Sequence, residues 1–403
     1  MTLFHTDENG EPTASNQTRS TREERRRSAG IGLLVGSVIV ALTLAVVPSP
    51  YVVEQPGPVF DTLGVVTVNA PVDAATSSQT SAQTATGETQ KTKIPLITIS
   101  GATTFSTTGA LDLLTVSVLG NPENLPSWME IIGAWFDPSK AVVPASAIFP
   151  SNESQQERDA ANTTLMTDSQ QDAIAAALTQ LGYDVVAGIE VDGFSENSPA
   201  ESVLQSGDVI TAFAGTTVRS VQGLRDAVAA SGAGVPATLN FIHLGVTTEG
   251  TVTPIDNGGN AIIGIGAKAK YDFPFDVTIR LDDVGGPSAG MMFALGIIDK
   301  LTPQDIAGGA HVAGTGTIDS MGIVGPIGGI RQKLYGARAA GATVFLAPSS
   351  NCDEVVGHIP SGLDVYAVTT LQDSLNVLAF TNQYGDKAGE MNAKTSTLAT
   401  CQN

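Results

Sequence analysis

The chain has 403 residues, enough for two or three domains with substantial cores. Its 40 acidic residues against 20 basic ones give a formal charge of −20 at pH 7, which excludes an electrostatic nucleic-acid binder. Two cysteines and four scattered histidines, His5, His243, His311 and His358, offer no metal-ligand spacing, so neither a metal nor a cofactor is expected.

Residues 1–28 are polar and rich in Ser, Thr, Glu and Arg, a composition that reads as a disordered cytoplasmic tail. Residues 29–48 begin with the uncharged run Ala29 to Val47, about 29 Å long as a helix and long enough for a membrane anchor. Arg19, Arg22, Arg25, Arg26 and Arg27 precede it, and no Lys or Arg follows until Lys91. That asymmetry predicts a single-pass cell-membrane protein with a cytoplasmic amino terminus and its body outside. A cleaved signal peptide is the competing reading. Cys352 and Cys401 can pair in an oxidising compartment or stay as two thiols.

Residues 49–164 read as extracytoplasmic strands and a connector. Val65–Val68, Ile94–Ile99 and Leu113–Leu119 are β-rich, with a Ser/Thr/Ala/Gln-rich loop from 74 to 92. A short amphipathic helix with Trp128 and Trp135 follows, its tryptophans suited to core packing or to a membrane surface. From Thr167 to Leu181 the apolar spacing predicts a helix ended by Gly182. Residues 165–258 include Ser198-Pro-Ala200 and Gly207-Asp-Val-Ile210, and this stretch resembles a bacterial PDZ domain. Such domains capture extended peptides by strand addition. Leu181, Gly182 and Tyr183 are the candidate peptide-binding loop, or only a helix C-cap.

Residues 259–383 alternate strands and helices, which predicts an α/β (α+β) domain, and 384–403 reads as a tail. Phe275–Leu281 is an alternating strand that leads into Gly285-Gly-Pro-Ser288 and then the apolar helix Ala289–Ile298. Ser288 at the amino end of a buried helix is well placed for a nucleophile, with the turn Gly286, Pro287 and Ala289 forming an oxyanion site. A hairpin is expected over 310–324, turning at Asp319–Gly322. On the next helix, Ile330, Lys333, Leu334 and Ala337 share one face, so Lys333 lies on the buried side. Desolvation lowers a lysine's pKa towards that of a general base. The residues alone leave the bland readings open: a capped helix start, and a lysine that snorkels to water. His311 is a competing base, but it has no neighbouring acid in sequence.

Gly286-Pro-Ser-Ala-Gly290, Thr315-Gly-Thr-Ile318 and Gly325-Pro-Ile-Gly-Gly-Ile-Arg-Gln-Lys-Leu334 resemble the proteolytic domain of the Lon proteases, and more closely its membrane-anchored, PDZ-containing branch without an ATPase domain. The resemblance implies Ser288 as nucleophile, Lys333 as its base and Thr315 as a hydrogen-bond support. Many Lon proteases carry an aspartate where this chain has Gly285. Only one strand stands between the PDZ-like stretch and Ser288, so further strands of the fold are expected from residues 50–120, with the PDZ-like module inserted.

The resulting expectation is an α/β (α+β) Lon-type proteolytic domain with a β-rich PDZ-like module and one N-terminal transmembrane helix. Its function would be an ATP-independent serine endopeptidase acting on unfolded or flexible extracytoplasmic proteins. No Gly-x-x-x-x-Gly-Lys-Ser/Thr phosphate loop occurs, so no nucleotide partner is expected. The expected partners are protein or peptide substrates, the membrane and, by resemblance, further copies in a hexamer. The alternative is a catalytically idle, peptide-binding membrane scaffold.

Overall fold

The computed structural model describes residues 17–70, 90–150, 154–281, 284–385, 388–395 and 397–401. They divide into two compact units, one drawn from 1–53, 118–137 and 141–150, the other from 54–117, 138–140 and 151–403. The first unit contains a 30-residue helix, Gln17–Val46, and a short one, Trp128–Trp135, started by a reciprocal capping box between Ser127 and Glu130. Trp128 stacks edge-on against Tyr51 with ring centroids 5.9 Å apart, beside buried Val53, Ile131 and Ala134. Trp135, by contrast, is 62% exposed.

The structure corrects the expected anchor over 29–48. Among the described residues no helix is long and apolar enough to cross a membrane. The apolar run is the carboxy-terminal part of a longer helix, and the sequence of its first half is charged, from Arg19 to Arg27. Glycines 30, 32 and 36 further dilute the apolar part. The transmembrane helix in the expected fold class falls on this finding, and with it the single-pass cell-membrane location with an external body.

The first strands are β1 (Tyr51–Asp61), which enters the second unit at Glu54, β2 (Ile97–Ser100) and β3 (Ala110–Leu119), which lies in the second unit as far as Ser117. The expected strand Ile94–Ile99 is interrupted at Leu96, directly after Pro95, which has no N–H to donate to a ladder. Residues up to Pro95 pair with Val65–Ala70, whereas β2 pairs elsewhere. Most of the expected 74–92 loop lies outside the described residues. Helix α1 (Gln155–Gln180) starts at a Ser154–Glu157 capping box, twelve residues before the expected Thr167.

A β-rich module follows, formed by β4 (Val186–Phe194), β5 (Val209–Phe213), helix α2 (Val221–Ser231), β6 (Ala237–His243), β7 (Val246–Val252) and β8 (Ile265–Asp272). Its antiparallel sheet runs in the order β7-β6-β5-β4-β8 over a core that includes Ile189, Ile210, Phe213, Leu239 and Phe241. β8 pairs with β4 along one side and is an edge of that sheet.

The chain then returns through β9 (Asp276–Ile279), helix α3 (Gly290–Leu301), β10 (His311–Gly314), helix α4 (Ile330–Ala340), β11 (Val344–Pro348) and β12 (Asp364–Val368). β9 pairs antiparallel with β2. The larger sheet includes the order β12-β11-β10-β3-β1, with β3, β10, β11 and β12 parallel. Strands from before and after the β-rich module thus share their sheets. β11 is buried throughout, as expected for a parallel strand covered on both faces. α3 is buried on all sides, so its apolar run needs no polar face.

The hairpin expected over 310–324 is smaller than predicted. Its turn is at Asp319–Gly322 and its arms are Thr317–Ile318 and Val324–Gly325, while β10 instead joins the parallel sheet. Cys352 and Cys401 form a disulfide. Beyond Tyr384 the chain makes a helix, Ala388–Thr395, and Ala399 accepts the Ala367 amide of β12 at 3.0 Å.

Candidate active site

β10 ends at Gly314, and the chain then turns so that Thr315 and Gly316 run beside the loop ahead of α3. The Gly316 amide donates to the Ser288 carbonyl at 2.9 Å, and the Met291 amide donates back to Gly316 at 3.1 Å. These two bonds fix the nucleophile loop against the sheet. Across from it, α4 leaves the left-handed Gly329 and carries Lys333 one turn in. Its loop is clamped by Asn351, 2% exposed, which accepts the Ile327 amide at 3.0 Å and donates to the Ile327 carbonyl at 2.9 Å.

Lys333 is 3% exposed and Thr315 1% exposed. The Lys333 amine donates to Ser288 Oγ at 2.8 Å and to Thr315 Oγ1 at 3.0 Å, and the Thr315 hydroxyl donates to the Ser288 carbonyl at 3.0 Å. One hydroxyl therefore orients the amine and anchors the backbone that carries the serine. Burial pushes the Lys333 ammonium down to about 8, since a desolvated cation is disfavoured. A cleft of about 940 Å³ opens beside Ser288 and Lys333, walled by Phe60, Val66, Leu113 and Met166.

The structure brings Ser288, Lys333 and Thr315 together. It alters the expected oxyanion turn. The side chain of Ser288 does not cap α3, whose N-cap is Ala289 without a side-chain bond. The Gly286 amide is spent on the Asn162 carbonyl at 3.1 Å, and Pro287 has no N–H, so Ala289 is the one of the three able to supply an amide. Gly285 has a physical reason: a Cβ there would lie 2.7 Å from the Asn162 Cβ. His311 is paired with Asp112 at 2.6 Å. It stands four residues before Thr315, about 13 Å along a strand, too far to serve Ser288.

Leu181, Gly182 and Tyr183 do not line a peptide groove. Leu181 caps α1, Gly182 takes φ +82°, and Tyr183 packs edge-on against Phe275 at 5.2 Å. The β-rich module has its own groove of about 290 Å³ between α2 and the start of β8, lined by Leu224, Val228, Ile263, Gly264 and Ile265. Sequence reading sought the loop ahead of the module, whereas the chain completes this sheet with its last strand. The signal available was Ile262-Ile-Gly-Ile265, with Gly264 at φ +71°.

Residues 282–381 match the family model of the Lon protease (S16) C-terminal proteolytic domain. This part of the chain is similar to the Lon proteolytic domain. The chain shares 37% identity over 93 residues with Lon protease 1 of Sorangium cellulosum, covering 22% of this chain and 11% of that protein. Lon protease 2 of Herpetosiphon aurantiacus is 34% identical over 125 residues, covering 29% and 15%. The chain thus spans under a sixth of the length of these relatives. Among solved structures, the PDZ domain of an SdrC-like protein from Listeria monocytogenes is 27% identical, covering 20% of this chain and 86% of that one with a TM-score of 0.19.

Proposed function

We propose that the protein is a serine endopeptidase in which Ser288 is the nucleophile and Lys333 its general base. The observation that carries this reading is the buried Lys333 amine 2.8 Å from Ser288 Oγ, lowered to about 8 by desolvation. At pH 7 roughly a tenth of such a lysine is neutral. In that form it takes the Ser288 proton as Oγ attacks the peptide carbonyl, then returns it to the leaving amine. The resulting ester is hydrolysed by water activated in the same way. Thr315 holds the amine on the serine, and the Ala289 amide at the open end of α3 faces the developing oxyanion.

The substrate is an extended or unfolded segment of protein, one that reaches the Ser288 cleft without a phosphate-loop motif in this sequence to drive its unfolding. Edge strand β8 and the apolar groove beside α2 select that segment by strand addition. We further propose that residues 49–164 and 259–383 make one proteolytic fold interrupted by the PDZ-like module, and that the protein works as a homo-oligomer.

Cleavage of casein by the full chain tests the dyad, with Ser288→Ala and Lys333→Ala as comparisons. Loss of activity in both variants at unchanged circular dichroism is the expected result. Equal rates in all three proteins would place the activity elsewhere.

A further inference from the structure

Segment 315–316 holds the nucleophile loop from one side, and α1 holds it from the other. Ser169 is 4% exposed, and its hydroxyl donates to the Pro287 carbonyl at 2.9 Å. Pro287 directly precedes Ser288. Seven residues earlier on α1, and therefore on the same face, the Asn162 carbonyl accepts the Gly286 amide at 3.1 Å. The fit leaves no slack, since a Cβ on Gly290 would lie 2.8 Å from Ser169 Oγ and one on Gly285 would meet Asn162. The Pro287 carbonyl also accepts the Gly290 amide, at a long 3.4 Å.

We propose that Ser169 is a positioning residue for hydrolysis, one that aims the serine through the Pro287–Ser288 peptide. A backbone rotation that carried Ser288 Cβ away from Lys333 would turn that peptide plane. Proline fixes its own φ and offers no N–H, so the plane's carbonyl is the available handle on its Pro287 side. A buried hydroxyl on that handle holds the plane where Oγ meets the amine. Without it only the long Gly290 bond remains, and small misplacements of a nucleophile cost rate rather than affinity. This inference rests on the Ser288–Lys333 reading.

The test is steady-state cleavage of an unstructured fluorogenic peptide by the full chain across pH 6 to 10. Ser169→Ala lowers kcat about tenfold with KM within about twofold, and the pH of half-maximal kcat stays near 8 because Lys333 is untouched. Ser169→Thr, which keeps the hydroxyl, recovers most of the rate, and Ser169→Cys, of similar size but a weak donor, does not. A kcat within twofold of wild type in Ser169→Ala, with Ser288→Ala inactive, overturns the positioning role alone. Losses that follow the folded fraction equally in the Ala, Thr and Cys variants also overturn it. Full activity in Ser288→Ala overturns the dyad and this proposal together.

Discussion

At the scale of single residues, the proposed chemistry depends on one lysine kept out of water. Its folded pKa, near 8, lies below that of an exposed lysine, so the unfolded chain binds more protons between about 8 and 10.5 and stability contributed by this group rises with pH there. Below that window the fold carries a buried charge, and the base is mostly protonated. kcat is therefore expected to climb with pH and level off above about 8, read from initial rates of peptide cleavage. Lys333→Arg keeps a permanent cation and loses about 10²–10⁴-fold in kcat at every pH. A flat profile in wild type would mean that another group limits the rate.

The two dyad residues were legible as residue types in a turn and on a helix face, but their meeting was not. It depends on Thr315 and Gly316 leaving β10 at the right point, a long-range pairing that no local pattern encodes. Ser169 and Asn351 were invisible for a simpler reason. A buried serine on a polar helix and an asparagine at a helix start look like ordinary solvated residues until their partners are known.

Among the elements, α1 does the most for the site. Its first ten residues are polar apart from two alanines, so apolar spacing placed its start too late, although the Ser154–Glu157 capping box marks the true one. Past Ser169 the same helix presents Asp172, whose carboxylate accepts the Tyr271 phenol of β8. Burial raises Asp172 to about 6. The helix thus touches both the Ser288 loop and the strand that edges the groove of the β-rich module. That groove is predicted to bind an extended peptide through the free edge of β8 and the apolar face of α2. Leu224→Arg should weaken peptide binding at least tenfold by calorimetry, with the hydrolysis of a short fluorogenic peptide within twofold of wild type. Unchanged affinity in that variant would remove the groove from the account.

Across the whole molecule, alternation of strands and helices was readable, while the sharing of sheets by distant segments needed coordinates. Few strands stand directly ahead of Ser288 in the sequence, and β2 pairs with β9 and β3 with β10 across the β-rich module. Module boundaries are another matter. Excision of 165–258 would remove Ser169 and more than half of α1, which packs along α3. We expect a variant lacking 184–272, closed by a short linker, to keep a cooperative thermal transition, and one lacking 165–258 to lose it. The amino-terminal run reads in sequence as an uncharged stretch of spanning length, whereas among the described residues no helix is long and apolar enough to cross a membrane.

The most direct measurement is covalent labelling of the full chain by a phosphonofluoridate probe, with the modified residue mapped by mass spectrometry and the rate followed against pH. The account predicts one adduct, on Ser288, forming at a rate that rises to a plateau above about pH 8 and falls at least a hundredfold in Lys333→Ala. An adduct on another residue, or the same rate without Lys333, would contradict it.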